Sequence, residues 1–235
     1  MSIPFFFIAA YDSSQKEIEL DQDTSRHIVQ VLRMQEGERL NLTDGKGALL
    51  TCAIKEASKK KCIVEVKEIQ NQKPKTKNIS IAISLLKNSN RFEWFLEKAT
   101  EIGVSGIIPL ICERTEKEKF RYDRMNAICI SAMLQSQQCW LPVLHEPVQF
   151  DNLVMTQFDN GMRFIAHCDE MDKKSLRNYQ IDKLSNCLIA IGPEGDFTKR
   201  EIEHAFQNGF IPVSLGETRL RTETAGLVAA VLLMA

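Results

Sequence analysis

Two stretches near the C-terminal end combine glycine, proline and charge in a pattern suited to holding a ligand. In the first, Ile191-Gly192-Pro193-Glu194-Gly195-Asp196-Phe197-Thr198, an apolar run from Cys187 enters two glycines around a rigid proline. Glycine permits positive φ and close approach of a ligand to the backbone. In the second, Leu215-Gly216-Glu217-Thr218-Arg219-Leu220-Arg221-Thr222-Glu223-Thr224-Ala225-Gly226, an apolar run ends at glycine. Two arginines and two carboxylates follow, then the small residues Ala225, Gly226, Ala229 and Ala230. Arginine beside a carboxylate can stabilise developing negative charge or take up a proton. Taken singly, the first stretch also fits an ordinary strand-to-helix turn and the second a solvated charged loop.

Other chemistries lack their residues. No Gly-x-x-x-x-Gly-Lys-Ser/Thr phosphate loop and no Gly-x-Ser-x-Gly nucleophile elbow occurs. Gly45-Lys46-Gly47 starts like a dinucleotide fingerprint but lacks the third glycine and falls in a hairpin. Lys199 and Arg200 at a helix start read as a surface charge pair rather than an anion site. The seven cysteines are widely spaced without a Cys-x-x-Cys, and none of the four histidines is paired with one at ligand spacing. This pattern predicts buried, reduced thiols in a cytosolic protein, without disulfides or a metal site.

These stretches need strands and helices to position them. The sequence is 44% hydrophobic and 26% charged, with a net charge of −1, as in ordinary globular proteins. No run approaches the ~20 apolar residues of a membrane span, and the short apolar start at Pro4–Ala10 reads as a strand. Asp23-Thr24-Ser25 predicts the cap of a short helix with Ile28, Val31 and Leu32 on one face. Leu40–Thr43, a turn at Asp44–Gly47, and Ala48–Ile54 predict a β-hairpin, and Cys62–Ile69 alternates again. The first 70 residues therefore read as a small, mostly β domain. Gln70–Lys77, polar and proline-containing, reads as a linker, which sets domains at 1–72 and 73–235.

Beyond it, strands and helices alternate. Strands are predicted at Ile79–Leu86, Val104–Cys112, Arg163–Cys168, Cys187–Ile191 and Ile211–Leu215. Helices are predicted from a capping box at Asn90–Glu93 to Gly103, over Tyr122–Gln138, over Lys199–Gln207 from a Thr198/Glu201 capping box, and over Thr222–Met234. Such alternation predicts an α/β domain with a mainly parallel sheet, and parallel sheets bind ligands beyond the C-terminal ends of their strands. Both glycine stretches fall at such ends. On charge, the first 77 residues are slightly basic, with 13 basic and 11 acidic side chains; Lys59-Lys60-Lys61 fits either a solvated turn or an RNA-facing patch.

Together, Ile191-Gly-Pro-Glu-Gly195, Leu215-Gly216 and Leu220-Arg-Thr-Glu-Thr-Ala225 resemble the ribosomal RNA small-subunit methyltransferase E family, a branch of the SPOUT methyltransferases. Lys87, Glu97–Val104, Pro109-Leu110, Glu113-Arg114, Gln135-Ser136 and Pro142 extend the resemblance in order along the chain. Leu134 and Gln138 depart from it, standing where the family usually has an acidic and a basic residue. The resemblance implies an N-terminal PUA-like β-barrel, a C-terminal SPOUT α/β domain with a deep trefoil knot, and a cytoplasmic homodimer. It implies methylation, by S-adenosylmethionine, of ring nitrogen 3 of a uridine in 16S ribosomal RNA near the decoding centre of the small subunit. Leu86, Ile191, Gly192, Pro193, Glu194, Gly195, Leu215, Gly216, Leu220 and Ala225 would line the cofactor pocket. Arg221 is the first choice for a catalytic cation, with Glu223 to orient it or accept the proton. Lys59, Lys60, Lys61, Lys87 and Arg91 are candidates for phosphate contacts, which predicts salt-sensitive RNA binding. A SPOUT enzyme acting on another RNA, or a non-catalytic RNA-binding assembly factor, are the rival readings.

Overall fold

A computed structural model of the chain describes residues 3–12, 14–73, 77–156, 161–179 and 186–235. Contacts divide the chain into two compact units, Met1–Pro74 with Met133–Leu141, and Lys75–Ala132 with Pro142–Ala235. The expected linker at Gln70–Lys77 is narrower than its composition suggests. The last N-terminal strand runs to Asn71, the next strand starts at Asn78, and positions 74–76 lie outside the described residues.

The first unit is a five-stranded sheet in the order β1-β3-β4-β5-β2: β1 Phe5–Phe7, β2 Glu17–Glu19, β3 Arg39–Thr43, β4 Ala48–Ala57 and β5 Cys62–Asn71. β1 and β2 are its edges; among the described residues they are not paired with each other. Alternation makes one face apolar: Leu40, Leu42, Leu50, Ile54 and Val64 are almost wholly excluded from solvent. The β3–β4 turn needs its glycine. Gly47 has φ +102°, and a Cβ there would lie 2.4 Å from the Trp140 ring. Trp140 belongs to the segment Met133–Leu141, whose Cys139 carbonyl accepts from Gly47 N at 2.8 Å.

The short helix α1, Gln22–Arg26, begins earlier than expected. Asp21 is the cap, accepting from the N–H groups of Asp23 and Thr24. The following turn, His27–Val31, is a π-helix. It keeps Ile28 buried but leaves Val31 and Leu32 exposed, because its wider turn breaks the 3.6-residue spacing on which the expected apolar face rested.

The second unit is an eight-stranded parallel sheet in the order β11-β13-β10-β12-β6-β7-β8, with β9 also on β7. The strands are β6 Asn78–Ser84, β7 Gly106–Ile111, β8 Val143–Leu144, β9 Val148–Gln149, β10 Gly161–Ala166, β11 Lys174–Ser175, β12 Asn186–Ile191 and β13 Ile211–Ser214. The helices are α2 Ser89–Ile102, α3 Tyr122–Gln135, α4 Phe150–Met155, α5 Lys199–Gln207 and α6 Thr222–Met234. Buried on both faces, the central strands β6 and β12 read as continuous apolar runs.

On α2, Phe92, Phe95, Leu96 and Ala99 form the buried face, each large side chain contributing about 1.5–3 kcal/mol of burial. The capping box expected at Asn90–Glu93 does not form. Asn88 caps the helix by accepting from Asn90 N, and Glu93 is drawn away by Nε and Nη2 of Arg124, at 2.7 and 2.8 Å. Gly103 closes the helix at φ +96°. α6 carries small residues where it crosses α2 and β6, with Gly226 against Phe95 and Ile83. Among the described residues, no helix is long and apolar enough to cross a membrane.

Candidate active site

β13, β10 and β12 are neighbours in the sheet, so their C-terminal ends emerge side by side. Two cavities open there, of about 300 and 440 Å³. Both are lined by Ala166, Cys168, Arg219, Leu220 and Ala225. Ile191, Gly192, Pro193, Glu194 and Arg221 complete the first, and Leu215 and Gly216 the second. The two glycine stretches, separated in sequence, thus share one site. Leu86 and Gly195 line neither cavity. Leu86 is buried just beyond β6, and the Gly195 carbonyl accepts from Arg114 Nη1 at 2.6 Å.

The turn after β12 is built from local constraints. A Cβ on Gly192 would come within 3.1 Å of Phe197, ring and backbone alike, so glycine lets the turn close tightly against that ring. Asp196 adopts φ +64°, and its carboxylate accepts from Phe197 N at 2.8 Å and from Cys168 N at 2.7 Å, tying the β12 turn to the end of β10. At α5 the Thr198/Glu201 capping box forms as read from the sequence. Glu201 does more than cap: fully buried, it also accepts from Glu113 N at 2.9 Å beyond β7. Replacing Glu201 by glutamine turns one of two acceptor oxygens into a donor facing N–H groups. We expect a loss of about 1–3 kcal/mol, seen as a melting temperature lower by roughly 2–10 °C; an unchanged melting temperature would show that the buried carboxylate is dispensable.

His167 and Lys173 also line the larger cavity, although sequence reasoning singled out neither. His167 is buried, and burial together with the nearby Lys173 charge pulls its pKa down, so it is neutral at pH 7. Lys173 Nζ donates to the carbonyls of His167 and Asp169 at 2.7 and 2.8 Å. The thiols depart from the sequence expectation at one position. Six cysteines are buried, and burial pushes Cys52 and Cys187 up to about 12 and Cys129 to about 11. Cys168 is exposed, because it stands where β10 has ended and the chain opens onto the cavities.

Arg221, at the N-cap of α6, is exposed and lines the first cavity. Glu223, two residues on, is buried, and its ion-pair partner among the described residues is Arg91 on α2, at 3.6 Å, rather than Arg221. The expected Arg221–Glu223 pairing is therefore replaced by one between Glu223 and Arg91, although Arg221 and Glu223 line the same shallow groove between α2 and α6. Lys87 Nζ is held by Glu116 at 2.7 Å and Lys61 by Glu19 at 2.8 Å, while Lys59 and Lys60 are exposed in the β4–β5 turn.

The chain thus joins a small β unit in sequence to a parallel sheet whose adjacent strand ends open onto two cavities. Residues 72–234 match the RNA methyltransferase domain family and residues 20–67 the RNA methyltransferase PUA domain family. The chain belongs to the ribosomal RNA small subunit methyltransferase E family. The Synechocystis protein of that name is 30% identical over 208 residues, covering 86% of this chain and 68% of the relative. A probable rRNA-methyltransferase from Porphyromonas gingivalis superposes with a TM-score of 0.89 at 40% identity, over 97% of this chain and 95% of that one. The Neisseria gonorrhoeae family member, crystallised with S-adenosyl methionine, gives 0.88 at 28% identity, over 98% and 96%.

Proposed function

We propose that this protein methylates nitrogen 3 of a uridine in 16S ribosomal RNA, near the decoding centre, using S-adenosylmethionine. The observation that carries the reading is the paired cavity at the ends of β13, β10 and β12, in a chain of this family. Its size suits the cofactor, since small-molecule sites span roughly 300–1,000 Å³. Ile191, Leu215, Leu220 and Ala225 give apolar walls for an adenine ring, and the backbone at Gly192 and Gly216 can hydrogen-bond its edge.

Bound S-adenosylmethionine supplies an electrophilic methyl group on a sulfonium. The chain's residues prepare the other reactant. Uridine N3 is protonated at neutral pH, so its proton must leave, to Glu223 and then to water. Arg221 stabilises the negative charge that spreads over the ring carbonyls. The N3 lone pair then bonds to the methyl carbon as the sulfur–carbon bond breaks, leaving a neutral thioether. Positioning of the two reactants in line supplies much of the remaining acceleration.

The same reading makes residues 1–72 a PUA-like RNA-binding domain, with Lys59, Lys60 and Lys61 toward phosphates, and residues 73–235 a SPOUT domain. It gives the C-terminal segment a deep trefoil knot. It describes a cytoplasmic homodimer acting on the small ribosomal subunit.

The test is transfer of labelled methyl from S-adenosylmethionine to purified small subunits lacking the modification, with mass mapping of the product. N3-methyluridine in 16S RNA is expected. Binding without transfer to any RNA would overturn the enzymatic reading, and methylation of another RNA would overturn the target. Bound cofactor is also expected to slow alkylation of Cys168 by iodoacetamide at pH 8, read by peptide mass, while the six buried cysteines stay unmodified. Equal labelling with and without saturating cofactor would place the ligand elsewhere.

A further inference from the structure

A concavity of about 240 Å³ lies at the start of α2, lined by Ser89, Glu93, Lys117, Lys119, Arg121 and Met125. Lys117, Lys119 and Arg121 come from the segment between β7 and α3, and all three are exposed. Among the described residues no carboxylate forms an ion pair with any of them. The one acidic lining residue, Glu93, has both oxygens taken by Arg124, at 2.7 and 2.8 Å, and its side chain is only 15% exposed. The basin therefore carries an unbalanced positive charge. Nearby cations do have their charge answered: Lys87 has Glu116 at 2.7 Å, and Arg91 has Glu223 at 3.6 Å. In a chain whose net charge is −1, three unanswered cations around one hollow are a local arrangement and not a consequence of composition.

We propose that this basin holds consecutive phosphates of the RNA strand that enters the methyl-transfer site. Residues 117, 119 and 121 line it and residues 118 and 120 do not, which is the alternation of an extended chain. Phe120 packs instead on Phe92, edge to face with ring centroids 6.2 Å apart, and so fixes the segment against α2. Alternate residues of an extended chain are about 6.5 Å apart, close to the separation of neighbouring phosphates along a nucleic-acid strand. A row of cations at that interval suits a phosphodiester backbone better than a single compact anion. The positive end of α2, a helix of 14 residues, adds a favourable field from the side of Ser89. The basin also adjoins the site. Lys87 N, two residues before Ser89, donates to Glu194 Oε1 at 3.3 Å, and Glu194 lines the first cavity. Phosphate contacts fix the register of a strand without reading its sequence, so the basin sets which nucleotide reaches the cavity. It takes over the role expected of Lys87 and Arg91, whose charges are already answered. The proposal rests on the RNA-methyltransferase reading and adds the path of the strand.

The test uses the full chain and purified small subunits lacking the modification. One variant combines Lys117→Gln, Lys119→Gln and Arg121→Gln. A second keeps the charge, with Lys117→Arg, Lys119→Arg and Arg121→Lys. Losing three phosphate contacts should make the slope of log affinity against log salt shallower by about 2. That corresponds to a rise in KM of roughly 10–50-fold near physiological salt, shrinking toward none at about 1 M, with kcat and S-adenosylmethionine affinity unchanged. The charge-keeping variant should stay near the wild-type slope. Ethylation interference should map adjacent phosphates beside the methylated nucleotide that matter to the wild type and no longer to the glutamine variant. The three side chains are exposed, so both variants should melt as the wild type does. An unchanged slope and KM, or a fall in kcat alone, would overturn the proposal even if the wild type methylates 16S RNA. So would an equal loss in the charge-keeping variant, since shape and not charge would then matter. Calorimetric binding of inorganic phosphate as tight as that of small subunits would make the basin a free-anion site instead. Dissociation of a dimer in the glutamine variant, with RNA affinity kept, would seat a second copy there and overturn the proposal too. Failure of the wild type to bind cofactor or transfer methyl would sink the enzymatic reading, while the salt slopes of RNA binding would still decide the basin.

Discussion

Replacing Arg221 by alanine is expected to slow methyl transfer by about 10²–10³-fold, while cofactor affinity and melting temperature stay near those of the wild type. The reacting nitrogen must carry negative charge before it attacks, and that charge spreads to the ring carbonyls. A fixed guanidinium at the cavity edge stabilises this state more than the neutral ground state, so its loss falls on the rate constant. Arg221 is suited to the role because it is exposed at the mouth of the cavity and makes no side-chain capping bond to its own helix. Arg221→Lys keeps the charge but loses the planar fork, and an intermediate rate is expected. Arg219→Ala is expected to have the smaller effect, since Arg221 is the first choice for the cation that faces the reacting ring. Single-turnover rates at saturating cofactor, with calorimetric binding and thermal melts, separate these outcomes. Near-normal turnover in a folded Arg221→Ala protein would remove Arg221 from the chemistry.

The second large effect is structural. Gly226→Val is expected to destabilise the C-terminal unit by about 3 kcal/mol and to lower its melting temperature by roughly 6–12 °C. A Cβ at this position would lie 2.7 Å from the Phe95 ring and 2.9 Å from Ile83 Cδ1. Both neighbours sit in the fully buried core between α2 and β6, so neither can yield without opening it. The displaced helix carries Thr222, Glu223 and Ala225 into the site, so cofactor affinity should fall with stability. Gly226→Ala should give a smaller effect of the same sign. Differential scanning calorimetry measures it, and a melting temperature within a degree of wild type would mean that α6 packs more loosely than the glycine implies.

Features that depend on a few consecutive residues were legible in the chain. Lys199–Gln207 and Thr222–Met234 are helices at the bounds read from the chain, the first because its capping box is a contact across three residues. The apolar runs at β6 and β12 were recognisable as strands of a parallel sheet, since burial on both faces leaves little room for polar alternation. The glycine stretches at strand ends were legible as turns, and at Gly192 a Cβ would press on Phe197 at 3.0–3.1 Å.

Where local signals competed, the sequence did not decide. Asn88 and Asn90 are both good caps, and Arg124 on another helix settled the matter by binding Glu93. The two-residue strands β8, β9 and β11 carried no periodic signal, because they exist through pairing with a neighbour. The return of Met133–Leu141 to the first unit likewise depends on a glycine far away, at position 47.

By itself, then, the sequence determined the α/β alternation, the cap of α5 and the two glycine turns at strand ends, all of which arise from steric and hydrogen-bonding preferences within a turn or two of chain. Only the tertiary structure decided that β13, β10 and β12 stand side by side, so that both turns enclose one site. It also decided that Glu223 faces Arg91 and leaves Arg221 at the cavity edge. Such juxtapositions come from strand order and from helices packed across the sheet, which bring together groups distant in sequence through contacts that no local preference encodes.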